Sequence, residues 1–195
     1  MMEISKEKKE KKKRIVSIWV CILIFIGAFF AGMISKVAIK PAWSTKYTAT
    51  WSEELGTKIT DISYGDEEAN KFDLYLPKDS TKDTYGLVIY LHAGGFTSGD
   101  KADDENMLAW LCSKGYVAAG INYTLRTDTN NASVLLQSNE IKEAIPIVVE
   151  EAKNRGYNID KMTVAGGSAG HALAMIMHTE MRRMLRYRLY LLLEL

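Results

Sequence analysis

Twenty consecutive residues without a charge, at positions 15–34, constrain the fold of this chain more than any other feature (IVSIWVCILIFIGAFFAGMI). An α-helix of this length rises about 30 Å, which is the thickness of the hydrocarbon core of a bilayer. A helix at the surface of a soluble core carries a polar face, and this run has none. The pattern therefore predicts one transmembrane helix ahead of any globular domain.

The charges on either side of this run predict its orientation. Residues 1–14 hold seven Lys and Arg against three Glu, a net charge of +4, whereas only Lys36 and Lys40 follow closely. Basic residues concentrate on the cytoplasmic side of membrane helices, so we expect a single-pass protein with a cytoplasmic N-terminus and the remaining chain outside. A cleaved signal peptide is the alternative, although the run lacks the small-x-small site that normally follows one.

The charge of the remaining chain argues against nucleic-acid binding. The whole chain carries +1, residues 1–14 carry +4 and residues 180–195 carry +2, which leaves −5 for residues 35–179. A domain of that charge has no electrostatic basis for binding nucleic acid. The two cysteines, Cys21 and Cys112, do not define a disulfide framework. No metal or organic cofactor is expected.

Two kinds of strand pattern follow a linker at residues 35–56. Residues 57–64 and 71–76 alternate apolar and polar side chains on either side of Gly65-Asp66, which predicts an antiparallel hairpin. Three later segments are continuously apolar, as strands covered on both faces are. These segments are LVIYL at 87–91, YVAAGI at 116–121 and KMTVA at 161–165.

Helical patterns separate the three apolar segments. The predicted helices occupy residues 103–114 and 139–155, with Pro146 inside the second and a glycine after each. Strands that alternate with crossover helices form a doubly wound α/β sheet. Ligands bind such sheets at the carboxyl ends of the strands, so motifs that directly follow a strand are the candidates for a site.

The segment Gly166-Gly167-Ser168-Ala169-Gly170 follows the last apolar strand and precedes a helix-compatible segment. Glycines around the serine allow a tight strand-to-helix turn that holds the Ser168 hydroxyl clear of the sheet. Because Ser168 then lies at a helix N-terminus, the Ala169 N–H can donate to a developing oxyanion. A small-residue turn without chemistry is the alternative.

The segment His92-Ala93-Gly94-Gly95-Phe96 directly follows the first apolar strand. Glycines at positions 94 and 95 let backbone N–H groups approach a substrate carbonyl without an intervening side chain. The alternative is a plain turn in which His92 has a structural role. Two such motifs, each at the end of its own strand, favour a catalytic site.

Together, LVIYLHAGGF, the later NYTL and DKMTVAGGSAG resemble the α/β-hydrolase superfamily over residues 57–177. The resemblance is to the esterase and lipase group related to hormone-sensitive lipase and to acetyl-esterase-like enzymes. It implies the N-terminal half of an α/β-hydrolase fold with a doubly wound, mostly parallel sheet.

The same resemblance implies roles for individual residues. Ser168 is the expected nucleophile and His92 is expected to orient the oxyanion loop. The oxyanion N–H groups are expected from Gly94, Gly95 and Ala169. Ala93 stands where that group usually has glycine, and we expect it to narrow the pocket.

The acid and base of a catalytic triad are not expected within this chain. In this fold they follow the nucleophile in the order Asp or Glu, then His, and only 27 residues follow Ser168. His171 and His178 lie on the helix after Ser168, which leads away from the expected active site. We expect His171 to pack against its neighbours. The carboxylates Asp100, Asp103 and Asp104 are expected to cap a helix or to be solvated.

The last segment differs in composition from the rest of the chain. Residues 178–195 are rich in Arg, Met and Leu (HTEMRRMLRYRLYLLLEL). We interpret them as an aberrant tail produced by a frame shift near Met177. A real amphipathic or membrane-associating helix is the alternative.

The sequence thus predicts a membrane-anchored serine hydrolase that acts on small-molecule carboxylic esters through an acyl-enzyme at Ser168. The alternative is a non-catalytic, truncated or pseudoenzyme protein that binds a partner at the membrane. The expected segments are a basic tail, a membrane anchor, a linker, a partial hydrolase domain and the aberrant tail, at residues 1–14, 15–34, 35–56, 57–177 and 178–195.

Overall fold

The computed structural model describes residues 2–38 and 46–179, and the side chains of residues 11–35 and 46–179. The chain divides into two units after Lys46. Residues 39–45 of the expected linker and residues 180–195 of the expected tail lie outside the described residues.

The first unit contains one long helix, α1 (Met2–Ala38). Its segment Lys11–Ser35 has a mean hydropathy of 2.6 and is long and apolar enough to cross a membrane. All described side chains of this segment are exposed. The predicted helix at residues 15–34 is therefore present, and its length and composition fit a membrane anchor and a signal sequence alike.

The second unit is a five-stranded sheet with helices on its faces. Its strands are β1 (Gly56–Ser63), β2 (Lys71–Pro77), β3 (Tyr85–Leu91), β4 (Val117–Ile121) and β5 (Ile159–Gly166). Its helices are α2 (Glu105–Ser113), which a short 3₁₀ turn (Lys101–Asp104) precedes, α3 (Val134–Asn154) and α4 (169–179).

The strand order is β1-β2-β4-β3-β5, and the sheet is mixed. The predicted hairpin of β1 and β2 is confirmed, and β2 also pairs antiparallel with β4. Strand β3 pairs parallel with both β4 and β5. The expectation of a mostly parallel sheet is therefore wrong for the described strands, because the hairpin adds as many antiparallel pairings as the crossovers add parallel ones.

The helices cover opposite faces of the sheet. Apolar side chains of α3 and α4 pack with Leu87, Ile89 and Leu91 on one face. On the other face, Leu108 and Cys112 of α2 pack with residues of β2 and β4. The crossover from β3 to β4 and the crossover from β4 to β5 therefore run on opposite sides. The direction of the chain across the sheet reverses at β4, and the helices that follow β3 and β5 lie on opposite faces, which places a crevice at the carboxyl ends of β3 and β5.

The three apolar strands differ in how far they are covered. All five residues of β4 are buried, whereas β3 alternates buried with partly exposed residues. Strand β5 was expected to be buried, but Lys161, Met162 and Thr163 are exposed. The physical reason is position, because β5 lies at an edge of the sheet among the described residues and pairs there with β3 alone.

Local capping determines where the helices begin. Helix α3 begins at Val134, five residues before the predicted start at 139, because the Ser133 side chain accepts a hydrogen bond from the Leu136 N–H. The helix continues through Pro146, and Gly156, with a φ of +91°, follows its end as predicted.

A buried lysine connects the segment after β3 to the hairpin. Lys101 is 7% exposed, and its Nζ lies 3.1 Å from Asp73 Oδ1 and 2.9 Å from Asp61 Oδ1. Asp73 is itself 2% exposed, and it also accepts a hydrogen bond from the Asp61 N–H. Burial lowers the pKa of Lys101, but the hydrogen bonds to the two carboxylates outweigh burial and leave this pKa raised. Lys101 therefore stays charged.

We expect the substitution Lys101→Met to lower the free energy of unfolding by about 3–5 kcal/mol, because it leaves Asp73 buried and unpaired. Denaturant unfolding in detergent measures the change. The control is Lys153→Met, which removes only an exposed pair with Glu150 at 3.9 Å and should change stability by less than about 1 kcal/mol. Equal losses in the two variants would contradict a buried, paired lysine.

Candidate active site

The two glycine-containing motifs lie side by side at the carboxyl ends of β3 and β5. Leu91 and Gly166, the last residues of the two strands, are register partners. The Gly167 N–H continues the ladder beyond the strand and donates to the Leu91 carbonyl at 3.2 Å. The segment after β5, with Ser168, therefore begins directly beside the segment after β3, with His92.

Ser168 occupies an unusual backbone conformation at this point. Its φ is +47°, and its side chain is exposed. Hydrogen bonds from the Gly170 N–H to the Gly167 carbonyl and from the Ala172 N–H to the Ser168 carbonyl close the turn and begin α4. A positive φ at a residue with a side chain stores strain and persists only where the surroundings hold it.

Two glycines make this tight turn sterically feasible. A Cβ on Gly166 would lie 2.7 Å from the Leu91 carbonyl oxygen, and a Cβ on Gly170 would lie 2.7 Å from the His92 carbonyl oxygen. Real Cβ atoms do not approach backbone oxygens so closely, so any larger residue would push α4 away from β3. Gly167 differs, because a Cβ there meets only the Ala93 Cβ at 3.6 Å and the Tyr90 hydroxyl at 3.7 Å.

His92 is buried beneath the loop formed by residues 92–99, which we call the glycine loop. The His92 ring is stacked on Tyr123 with 4.4 Å between ring centroids. The Nδ1 atom lies 2.7 Å from the Ala93 carbonyl, and a carbonyl can only accept, so Nδ1 is the donor. The Tyr123 hydroxyl donates to the His92 carbonyl at 3.1 Å, and burial raises the pKa of Tyr123 to about 12, which keeps this donor protonated.

The carbonyl of Gly94 is held inside the glycine loop. It accepts hydrogen bonds from the Thr97 N–H at 3.1 Å, from the Ser98 N–H at 3.0 Å and from the Ser98 hydroxyl at 3.0 Å. In a planar trans peptide the N–H points opposite to the preceding carbonyl. Because the Gly94 carbonyl points into the loop, the Gly95 N–H points out of it. The Ala93 carbonyl is turned toward the His92 ring, and the Gly94 N–H of the same peptide therefore points away from that ring.

The remaining histidines do not adjoin Ser168. His171 is exposed, so the expectation that it packs against its neighbours is wrong, because α4 packs through Leu173, Ala174 and Met177 instead. The Nε2 atom of His178 lies 3.3 Å from the Val164 carbonyl. Within residues 46–179, no hydrogen bond joins a histidine to Ser168.

The acidic residues behind the glycine loop have two different environments. Asp100 and Asp103 form a reciprocal capping box at the 3₁₀ turn, as expected. Asp104 neither caps nor is fully solvated, because its Oδ2 atom is buried with no hydrogen-bond partner in the described part of the chain. Burial, and secondarily the charge of Asp103, raises the pKa of Asp104 to about 6.

The sequence analysis assigned no role to the residues that hold the glycine loop from behind, Tyr123 and Gln137, although Tyr123 lies within the NYTL segment that carries the resemblance. Each lies far from the loop in sequence and close to it in space. The available signal for Tyr123 was its position directly after the β4 strand and Asn122. Among the described residues, no group of three His, Cys, Asp or Glu side chains could hold a metal ion.

We expect Asp104→Asn to stabilise the protein near neutral pH. Folding raises the pKa of this carboxyl, so its contribution to the free energy of unfolding is fully present below pH 4. The protein loses that contribution as the pH rises through about 6. An asparagine does not titrate, so the variant avoids this loss of unfolding free energy. We expect the difference to be about 1 kcal/mol at pH 7, because solvent screens the partly exposed Asp104. Thermal unfolding from pH 4 to 8 measures the effect. Asp160→Asn, an exposed control with the same charge change, should not show it, and identical profiles would disprove the assignment.

We expect Gly170→Ala to destabilise the fold by more than about 3 kcal/mol or to prevent folding, because its Cβ collides with the backbone at Leu91 and His92. Gly167→Ala is the matched control in the same turn, with only ordinary contacts for its Cβ, and it should change stability by less than about 1 kcal/mol. Circular dichroism during thermal unfolding compares the two. A stable Gly170→Ala protein would contradict the close approach.

Several known proteins match part of this chain. Kynurenine formamidase from Danio rerio is 30% identical over 124 residues, which cover 63% of this chain and 39% of that protein. The enzyme of the same name from Salmo salar is 28% identical over 127 residues, or 65% and 40% of the two chains. The chain thus spans about two fifths of the length of these curated relatives.

Solved structures also match part of the fold. Esterase B from Lactobacillus rhamnosis has a TM-score of 0.56 at 22% identity, and the match covers 78% of this chain and 46% of that one. Thermogutta terrifontis esterase 2, phosphorylated by paraoxon, has a TM-score of 0.52 at 25% identity, with 62% and 47% covered. Residues 72–187, more than half of the chain, match the BD-FAE family model. This protein therefore belongs to the BD-FAE esterase family of the α/β-hydrolases.

Proposed function

We propose that the protein is a serine hydrolase of carboxylic esters with Ser168 as its nucleophile. The observation that carries the proposal is the backbone of Ser168, which has a φ of +47° on an exposed strand-to-helix turn beside the glycine loop. Strain of this kind concentrates at functional positions. Membership of an esterase family supports the same reaction class.

The proposed reaction proceeds through an acyl-enzyme. The Ser168 Oγ attacks the ester carbonyl carbon, the hydroxyl proton is transferred to a base, and the tetrahedral intermediate expels the alcohol. Water then attacks the acyl group and releases the acid and the serine. The negative charge of each tetrahedral intermediate is stabilised by the N–H groups of Gly94, Gly95 and Ala169. One such donor contributes about 10²–10³ in rate in known enzymes.

His92 has an orienting role in this proposal. Its Nδ1 donates to the Ala93 carbonyl, and its ring is buried against Tyr123, so it is not free to approach the Ser168 hydroxyl. By turning the Ala93 carbonyl inward, it turns the Gly94 N–H toward the substrate side. Within residues 46–179 we assign no residue as the acid or the base of the triad, and the matched region covers about two fifths of the kynurenine formamidase relatives.

The proposed substrates are small-molecule esters, and no metal or organic cofactor takes part. The name of the kynurenine formamidase relatives makes an N-formyl amide the second substrate class to assay. The methyl of Ala93, exposed beside Gly167, narrows the proposed acyl pocket.

We also propose that residues 15–34 anchor the protein in a membrane, with residues 1–14 in the cytoplasm and the hydrolase domain outside. The exposed apolar segment of α1 and the four consecutive basic residues at 11–14 support this topology.

A non-catalytic, membrane-attached binding protein is the second candidate. The observation that favours it is the lack of a hydrogen bond between Ser168 and any histidine within residues 46–179. A serine without a base is a weak nucleophile. The two candidates differ in the reactivity of Ser168 alone, which a covalent probe measures.

We expect a fluorophosphonate probe to label the purified full chain at Ser168, because the oxyanion donors also bind the phosphoryl oxygen of the probe. Labelling should fall to background in Ser168→Ala. It should persist in Ser113→Ala, which removes an exposed hydroxyl on α2. Mass spectrometry of the labelled peptide identifies the modified residue. Absence of labelling in folded wild-type protein would favour the binding candidate.

A further inference from the structure

Phe96 is a strained residue within the glycine loop. Its φ is +70°, and it follows Gly95, whose φ is +62°. These two residues are the central positions of the turn that returns the Thr97 and Ser98 N–H groups to the Gly94 carbonyl. Glycine adopts such a conformation without strain, but phenylalanine does not. The turn therefore requires an external contact that keeps Phe96 in place.

Helix α3 supplies that contact through Gln137. The Gln137 side chain is fully buried, and its Nε2 donates to the Phe96 carbonyl at 3.0 Å and to the Thr124 carbonyl at 2.9 Å. The Arg126 N–H donates to the same Phe96 carbonyl at 2.9 Å. Gln137 thus joins the glycine loop after β3 to the segment after β4.

The oxygen of the Gln137 amide serves no other interaction in the described chain. Its Oε1 atom is buried and has no hydrogen-bond partner among the described residues. Two carbonyl acceptors require a nitrogen on their side of the amide, because an amide oxygen would be repelled there. A buried glutamine with an unsatisfied oxygen is unfavourable. The compensating gain is the pair of hydrogen bonds that Gln137 Nε2 donates to the Phe96 and Thr124 carbonyls.

We propose that Gln137 is a positioning residue for the oxyanion hole, which it maintains by holding Phe96 at positive φ. This inference rests on the proposed function of Ser168 and adds a determinant that lies on a helix and does not contact the substrate. With Phe96 held, the turn stays closed, the Gly94 carbonyl stays inside it, and the Gly95 N–H stays directed outward. Without Gln137, Phe96 relaxes toward negative φ, and the outward N–H loses its direction.

The test compares Gln137→Met with Ser138→Ala. Both substitutions remove a fully buried polar side chain from adjacent positions of α3, but among the described residues the Ser138 hydroxyl hydrogen-bonds to the Met177 sulfur, at 3.6 Å, and not to the glycine loop. Two measurements apply to the full chain in detergent. These are hydrogen exchange of peptides spanning residues 92–99 and the rate of fluorophosphonate labelling per folded molecule, with the folded fraction taken from circular dichroism.

We expect Gln137→Met to speed exchange in residues 92–99 by about tenfold and to slow labelling by about tenfold, the effect of losing one hydrogen bond, because the Phe96 carbonyl then keeps only the bond from the Arg126 N–H. Ser138→Ala should change neither. Equal behaviour of the two variants in both measurements would overturn the proposal, since a merely structural glutamine would affect only the folded fraction.

If Gln137→Met folds poorly, the same substitution is tested in a second parent protein, the variant Phe96→Gly. Phe96→Gly removes the strain at this position, so adding Gln137→Met to it should slow labelling by less than threefold beyond Phe96→Gly alone. A full tenfold further loss would show that Gln137 does not act through Phe96. If wild type is not labelled, or if Ser168→Ala is labelled equally, the proposed function fails, while exchange still decides whether Gln137 holds the loop.

Discussion

The close approach of three backbone segments at the Leu91 carbonyl underlies the whole candidate site. This oxygen accepts the Gly167 N–H at the end of β3, and it leaves no space for a side chain at Gly166 or Gly170. The contact sets the distance between the turn at Ser168 and the glycine loop. Because this contact joins backbone atoms, with glycines in place of larger side chains, no rotamer change can alter it. The turn at Ser168 is therefore placed rigidly beside the glycine loop.

Much of the fold follows from local patterns, and the rest depends on contacts that local patterns do not reveal. Alternating apolar and polar residues predict the β1–β2 hairpin, and the structure then buries β2 on both of its faces, because α2 packs on the second one. The same kind of pattern does not reveal that β5 is outermost, since its composition resembles that of a covered strand. The early start of α3 was also missed, because Leu135 and Leu136 in its first turn are exposed and interrupt the apolar periodicity.

The candidate site divides in the same way. Ser168 and the glycines of the loop after β3 were predictable, because both motifs depend on a steric requirement that is local in sequence. Their roles in catalysis stay predictions. Gln137 was not predictable, since 41 residues separate it from Phe96 and a glutamine on an amphipathic helix normally faces solvent. His171 was misjudged, because the packed face of α4 is offset from it.

The glycine loop is held by the ring of His92, the Tyr123 hydroxyl, the Gln137 amide and the Arg126 N–H. The groups proposed to meet a substrate are main-chain N–H groups, which no substitution deletes except proline. The exposed side chains of Ala93 and Thr97 are therefore open to exchange during evolution without loss of the underlying geometry. A family built on such a loop can diversify what it recognises while its chemistry stays constant, and the inner residues are where change is least tolerated.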